Sequence, residues 1–230
     1  MDGEHQEKKR KRSVAETNPP TDRFAKHRKK KKRKREKREM STPDSMSADE
    51  LLTYVTTFCA GKGSWHVHQP EGGYRTISGA VEGYFGNKLA GHLKAAENPN
   101  CVMRVLVLCS SGIRCCDVFR ELRTLAGPKA LVAKLFAKHM KLKEQREMLA
   151  EKSVFAGVGT PNRVRALLEA GALDLSQCEL VLVDCWRNVK GFNIFELKQE
   201  AADLRNVLCA LADKDFAGRL AVAAAAPPTG

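Results

Sequence analysis

From Val154 to Trp186, VFAGVGTPNRVRALLEAGALDLSQCELVLVDCW, the apolar positions run together, then recur at helical spacing, then run together again. That alternation predicts a strand, a turn, a short helix and a second strand, which is one βαβ unit. Thr160 suits the N-cap and Pro161 the first helical position, where a missing N–H costs nothing. Val164, Leu167 and Leu168 mark the inner face of the helix, and Gly171 can take the left-handed conformation that closes it. Leu180 to Val183 is too short and too β-branched for another helix. Asp184 is therefore predicted at the carboxyl end of a buried strand, the edge of an open α/β sheet where ligands usually sit.

The same reading extends in both directions. Ser47 and Glu50 form a capping box ahead of Leu51, Leu52, Val55, Phe58 and Cys59, a helical face that opens the folded part near Ser47. Trp65 to Ser78 carries no clear period. Ile77, Val81, Tyr84, Phe85 and Leu89 predict another amphipathic helix, weakened by its glycines, and Asn98-Pro99-Asn100 breaks the chain. Val102 to Cys109 is a buried strand, and Ser110-Ser111-Gly112 leads into a helix with Cys116, Phe119, Leu122 and Leu125 inward, ended by Gly127-Pro128. Ala130 to Phe136 fits either period, and its place after a helix and a turn selects strand. His139 to Ala150 reads as a charged surface helix with Leu142 and Leu149 inward. Phe192 to Leu211 reads as one long amphipathic helix, and Arg219 to Ala225 as a last strand. Strands and helices in alternation make an α/β fold: a mostly parallel sheet, right-handed crossovers and helices on both faces.

Charge divides the chain. Through Met40 there are 17 Lys and Arg against 7 Asp and Glu, a net +10 of the total +13, which leaves +3 for everything after it. The excess sits in two clusters, Lys8-Lys9-Arg10-Lys11-Arg12 and Arg28-Lys29-Lys30-Lys31-Lys32-Arg33-Lys34-Arg35, separated by a spacer around Asn18-Pro19-Pro20. Mutual repulsion and the lack of apolar residues predict a disordered tail, and the spacing resembles a nuclear-import signal. Such density also suits phosphate binding by counterion release, although a merely solubilising tail has the same composition. With Phe24 the one interleaved aromatic, base-specific reading by the tail is not expected.

Other chemistries find little support. No stretch approaches the roughly 20 apolar residues that span a bilayer, and the N-terminus carries charge where a signal peptide needs an apolar core. The eight cysteines form no CxxC pair, which points to reduced thiols inside the cell. His66 and His68 lack further ligands at zinc-site spacing. Gly61-Lys62-Gly63-Ser64 has the outline of a phosphate loop, but Thr56 stands where its first Gly belongs and Gly63 where its hydroxyl belongs, so a Gly-rich helix stop is the simpler reading.

Three motifs carry a resemblance to the first RecA-like domain of DEAD-box RNA helicases over roughly Val102 to Arg187. Leu106 to Cys116 is similar in place to that family's first RNA-backbone motif, Gly159-Thr160-Pro161-Asn162-Arg163 resembles its TPGR motif, and Val181 to Asp184 resembles the strand that ends in the DEAD box. Lys134 to His139, the GVGTP turn and Asp184-Cys185-Trp186-Arg187 more closely resemble the Cms-type family, small helicase-related nucleolar proteins of the early small-subunit pre-ribosome. The resemblance implies a single RecA-like domain at 101–230, after a tail at 1–46 and a helical lead-in at 47–100. It also implies lost catalysis. Cys185 stands where the helicase Glu positions water, only Ala223 to Ala226 answer to the Ser-Ala-Thr motif, and no second RecA-like domain is expected.

The expected protein is a non-catalytic ribosome biogenesis factor of the nucleus and nucleolus. It would bind pre-rRNA and small-subunit pre-ribosomal proteins, with no cofactor, no metal, no membrane and no small-molecule substrate. The two basic clusters, Thr160 and Arg163 are its candidate nucleic-acid contacts. For Thr160 and Arg163 two readings stand: phosphate binding at a helix N-terminus, or a helix cap beside a solvated arginine. Asp184 is expected to accept N–H bonds from the loop that follows it, and Trp186 to belong to the core. The alternatives are a divergent RNA-dependent ATPase using Lys62 and Asp184, and a general nucleic-acid-binding protein acting through its tail.

Overall fold

Of the residues in five short strands, only Lys134 and Arg219 are not buried. A sheet this apolar needs cover on both faces, which is the condition of a parallel sheet. In the computed structural model, which describes residues 42–96, 102–128, 130–137, 140–213, 216–223 and Lys29, it has that cover. The strands are β1 (Val105–Leu108), β2 (Val132–Leu135), β3 (Ala156–Gly159), β4 (Leu180–Asp184) and β5 (Arg219–Ala223), all parallel, in the order β2-β3-β1-β4-β5. The helices are α1 (Ala48–Phe58), α2 (Ile77–Phe85), α3 (Leu89–Ala95), α4 (Gly112–Ala126), α5 (Leu142–Glu151), α6 (Pro161–Glu169) and α7 (Lys198–Ala212). Apart from Lys29, the basic clusters lie outside the described residues, as do Asn98-Pro99-Asn100 and Ala224 to Ala226.

Period-2 alternation divides the core in two. Leu106, Leu108, Val181 and Val183 face Val55 of α1, Leu167 of α6 and Leu204 and Leu208 of α7. Val105, Val107, Leu180 and Leu182 face Ile77 and Val81 of α2 and Val118 and Leu122 of α4. Gly159 lets β2, β3 and α6 close up, because a Cβ there would lie 2.5 Å from the Leu135 carbonyl and 2.8 Å from Val164. The described residues from 42 to 223 make one compact unit.

Both edges of the sheet are covered. Beside β5 runs the stretch that carried no period: His68 N–H donates to Leu220 (2.9 Å), Leu220 N–H donates to His66 (2.8 Å), and the Gln69 side chain accepts from Val222 N–H (3.2 Å). Its ladder bonds carry no side-chain period, and the apolar contacts it does make, through Trp65, Val67 and Tyr74, are divided between the two faces of the sheet. On the other edge Gln145, fully buried at 0% exposure, donates through Nε2 to the carbonyls of Lys134 (2.8 Å) and Phe136 (3.2 Å). These carbonyls point away from β3 and would otherwise invite another strand.

Several elements form as their caps require. Ser47 and Glu50 make the capping box of α1, Ser111 accepts the Arg114 N–H at the start of α4, and Gly171 has φ +63° just beyond α6. Others depart from expectation. The helix expected over Phe192 to Leu211 begins only at Lys198, because Asn188 and Asn193 bond backbone N–H groups of the preceding stretch, an alternative that competes with helix. In α4 the buried stripe is Arg114, Cys115, Val118, Leu122 and Ala126, while Cys116, Phe119 and Leu125 lie half-buried on its flank. In α5 the buried residue is Gln145, and Leu142 and Leu149 are only partly covered. Ile77 to Leu89 is broken after Phe85 at Gly86, φ +49°.

Replacing Gln145 with Ala leaves two edge carbonyls without their buried donor and is expected to cost about 1–3 kcal/mol in urea denaturation.

Candidate functional site

After β1 the chain goes outward to β2, returns through β3 and then crosses to β4, so the strand order reverses between β1 and β4. Ligands of open α/β sheets occupy the crevice at such a reversal, beyond the carboxyl ends of the strands. Here the crevice holds an ion pair. Asp184 ends β4 with its side chain 0% exposed, and Arg114, in the first turn of the helix that follows β1, is 3% exposed. Arg114 Nε donates to Asp184 Oδ2 at 2.8 Å and Nη2 donates to Oδ1 at 3.2 Å. Trp186 N–H adds a longer bond to Oδ1 at 3.4 Å.

Burial raises the Asp184 carboxyl above its ordinary value, against the pull of Arg114. Burial also works against the Arg114 charge, but its bonds to Asp184 hold the guanidinium above its usual range. The thiols around the pair, Cys109 and Cys185, are pushed well up by burial, which keeps them protonated and poorly nucleophilic. Trp186 is half-buried, its ring 5.7 Å from the Arg114 guanidinium carbon.

The expected bond from the following loop to Asp184 is present, but the main partner is Arg114, which the sequence reading passed over. Its signal was there: Arg114, Val118, Leu122 and Ala126 repeat every four residues, so the charge falls on the inner stripe. Thr160 holds the N-cap backbone position of α6 without a side-chain cap bond. The Arg163 side chain is half-buried, and its Nη1 donates to Met140 O (3.1 Å) and Gln145 Oε1 (2.8 Å). Lys62 lies on the opposite edge, 3.7 Å from Asp213 in the turn that enters β5. The five residues of β4, at about 3.3 Å each, separate that edge from Asp184, so the two residues of the ATPase reading do not meet. His68 packs against the Tyr84 ring (5.2 Å, edge-on).

A model of the family described as "CMS1: U3-containing 90S pre-ribosomal complex subunit" matches residues 83–219. Protein CMSS1 of Homo sapiens is 35% identical over 104 residues, 44% of this chain and 37% of that protein. Protein CMS1 of Chaetomium thermophilum is 33% identical over 120 residues, 52% of this chain and 45% of its own length. The chain thus spans less than half the length of these curated relatives. Among solved structures it is similar to a DEAD box protein from Methanococcus jannaschii, with 19% identity, a TM-score of 0.44 and coverage of 81% of this chain and 44% of that one. It is likewise similar to S. cerevisiae Dbp5 L327V bound to RNA and ADP BeF3, with 14% identity, a TM-score of 0.47 and coverage of 78% and 40%.

Arg114→Met is expected to cost about 3–5 kcal/mol, because it leaves a buried carboxylate without its cation. In that variant the folded-state carboxyl lies further above its unfolded value of about 3.9. Its contribution to stability is then full below that value and lost as pH rises through the folded one. Urea unfolding near pH 5 and near pH 8 checks the sign: the variant is more stable at the lower pH. Adding Asp184→Leu removes the buried charge and is expected to recover most of the loss.

Proposed function

The chain belongs to the CMS1 family of U3-containing 90S pre-ribosomal complex subunits, and from that premise we propose that it is a non-catalytic assembly factor of the small-subunit pre-ribosome, acting in the nucleus and nucleolus. The observation that carries the non-catalytic part is the burial of Asp184 in its pair with Arg114. A carboxylate that holds magnesium through water needs an oxygen open to that water, and both oxygens of Asp184 are turned to protein donors. Cys185, buried and protonated, is no base for an attacking water. The remote position of Lys62 supports the same reading.

Binding is divided between two parts of the chain in this proposal. The clusters from Lys8 to Arg12 and from Arg28 to Arg35 neutralise pre-rRNA phosphates, and the α/β unit engages pre-ribosomal proteins. Thr160 and Arg163 sit on the same edge of the sheet as Asp184, and the bonds from Arg163 to Met140 and Gln145 favour a structural role for that arginine.

The full chain is expected to sediment with large pre-ribosomal particles in a gradient of nuclear extract, and sedimentation only at the top overturns the reading. Its RNA affinity is expected to fall about a thousandfold or more between about 50 and 200 mM salt, as six or more phosphate contacts require. Deleting residues 1–40 removes most of that salt dependence, whereas a protein working through its tail alone would lose its particle association as well.

A further inference from the structure

A phosphate loop needs a strand, a glycine-bearing turn and a helix in succession. That succession is found not at Gly61 to Ser64 but further on. The edge stretch runs parallel to β5 at Val67 and again at Tyr74, turns between them at Gly72 and Gly73 (φ +80° and +70°), and enters α2 at Ile77 behind the N-cap Thr76. Tyr74 bridges to Ala223, the residue that also pairs with Asp184, so the turn lies at the same end of the sheet as the ion pair. In the spacing GxxxxGK[ST], Arg75 and Thr76 take the last two places, while Gln69 and Tyr74 stand where the glycines belong.

The N–H groups that open α2 already have acceptors. Gly79 N–H donates to Thr76 Oγ1 (3.0 Å), and Ser78 gives both its N–H (2.7 Å) and its hydroxyl (2.8 Å) to Glu121 Oε1. Glu121 belongs to α4, seven residues after Arg114, which puts the two charges on one side of that helix, two turns apart. After burial and the bonds within the pair, the Glu121 charge also acts on Arg114 and Asp184, raising both. One helix therefore brings a cation to the carboxylate at the strand end and an anion to the start of α2. In a nucleotide site a metal ion and a phosphate fill those two places. At the foot of the turn Gln69, 9% exposed, has no partner at Nε2, which lies 3.2 Å from where a Cβ on Gly73 would be. The turn thus keeps hydrogen-bond donors, and the carboxylate that stands on α2 comes from the chain itself.

We propose that Glu121 is a built-in anion: with Arg114 on Asp184 and Glu121 on Ser78, α4 fills from its own side chains the places of a metal ion and a phosphate, and so keeps phosphate groups off the start of α2. An oxyanion arriving at Ser78 has to displace a carboxylate held by two hydrogen bonds, one that loses no freedom of translation by being there. Glu121 is a positioning residue in this account, acting through Ser78. The inference deepens the non-catalytic reading and rests on it for its meaning. Hydrolysis of ATP by the wild type would end that reading, whereas the response of Ser78 decides this one.

The test follows the Ser78 and Gly79 amide resonances of the full chain while inorganic phosphate replaces chloride at constant ionic strength. Wild type is compared with Glu121→Ala, which clears the carboxylate, and with Glu121→Gln, which keeps its shape and removes its charge. In the wild type both resonances are expected to stay in place. In Glu121→Ala they are expected to shift and saturate as phosphate is added, and in Glu121→Gln to shift in the same direction but less. The Gln variant keeps the reading available if the Ala variant does not fold. Resonances that move in the wild type as far as in the variants would show that Glu121 excludes nothing. Resonances that move in neither variant would reduce the contact to a tie between α2 and α4, and either result overturns the proposal.

Discussion

Asp184 is buried, and among the described residues it is the carboxylate that bonds the Arg114 fork; each makes the other's burial tolerable. Two buried charges gain little net stability over apolar residues of similar volume, but either alone is severely destabilising. The pair therefore acts as a constraint. It ties the first turn of α4 to the end of β4 across the reversal in strand order, and it sets where the loop to Trp186 departs. At the reversal where open α/β sheets usually hold a ligand, the carboxylate of Asp184 is taken up by the protein's own Arg114.

Around that constraint the sheet is covered wherever it could be joined. Two apolar layers take its faces, the 66–69 stretch lies along β5, and Gln145 answers the free carbonyls of β2. Arg163 in turn holds the Gln145 side-chain oxygen, which ties this candidate phosphate contact to the packing of an edge. Among the described residues the large apolar side chains left exposed are Leu52, Ile113 and Val189.

The parts that read correctly from the sequence are those where apolar period and cap chemistry agree: the βαβ unit from Val154 to Asp184, the capping box at Ser47, the strand at β1 and the closing glycine at Gly171. The parts that did not are held by polar groups acting at a distance. Asn188 and Asn193 stop a helix that Ile194 and Leu197 suggest, Gln145 takes a core position that spacing gives to leucines, and the 65–74 stretch is placed by bonds to β5. For the site, Asp184 was legible as the end of a buried strand. Arg114 was not, because a charged residue was read as solvated even though its spacing placed it on the inner stripe of α4.

Membership of a pre-ribosomal family and the pairing of Asp184 with Arg114 are what support the proposal of a fold kept for binding and not for catalysis. The most direct test of that claim is hydrolysis of magnesium ATP by the purified full chain, with and without structured RNA, beside an Asp184→Asn variant. Turnover at the level of the protein-free blank under every condition is the required result. RNA-stimulated turnover by the wild type that disappears in a still-folded Asp184→Asn protein would mean that the pair opens to admit magnesium, and it would contradict a fold kept for binding and not for catalysis.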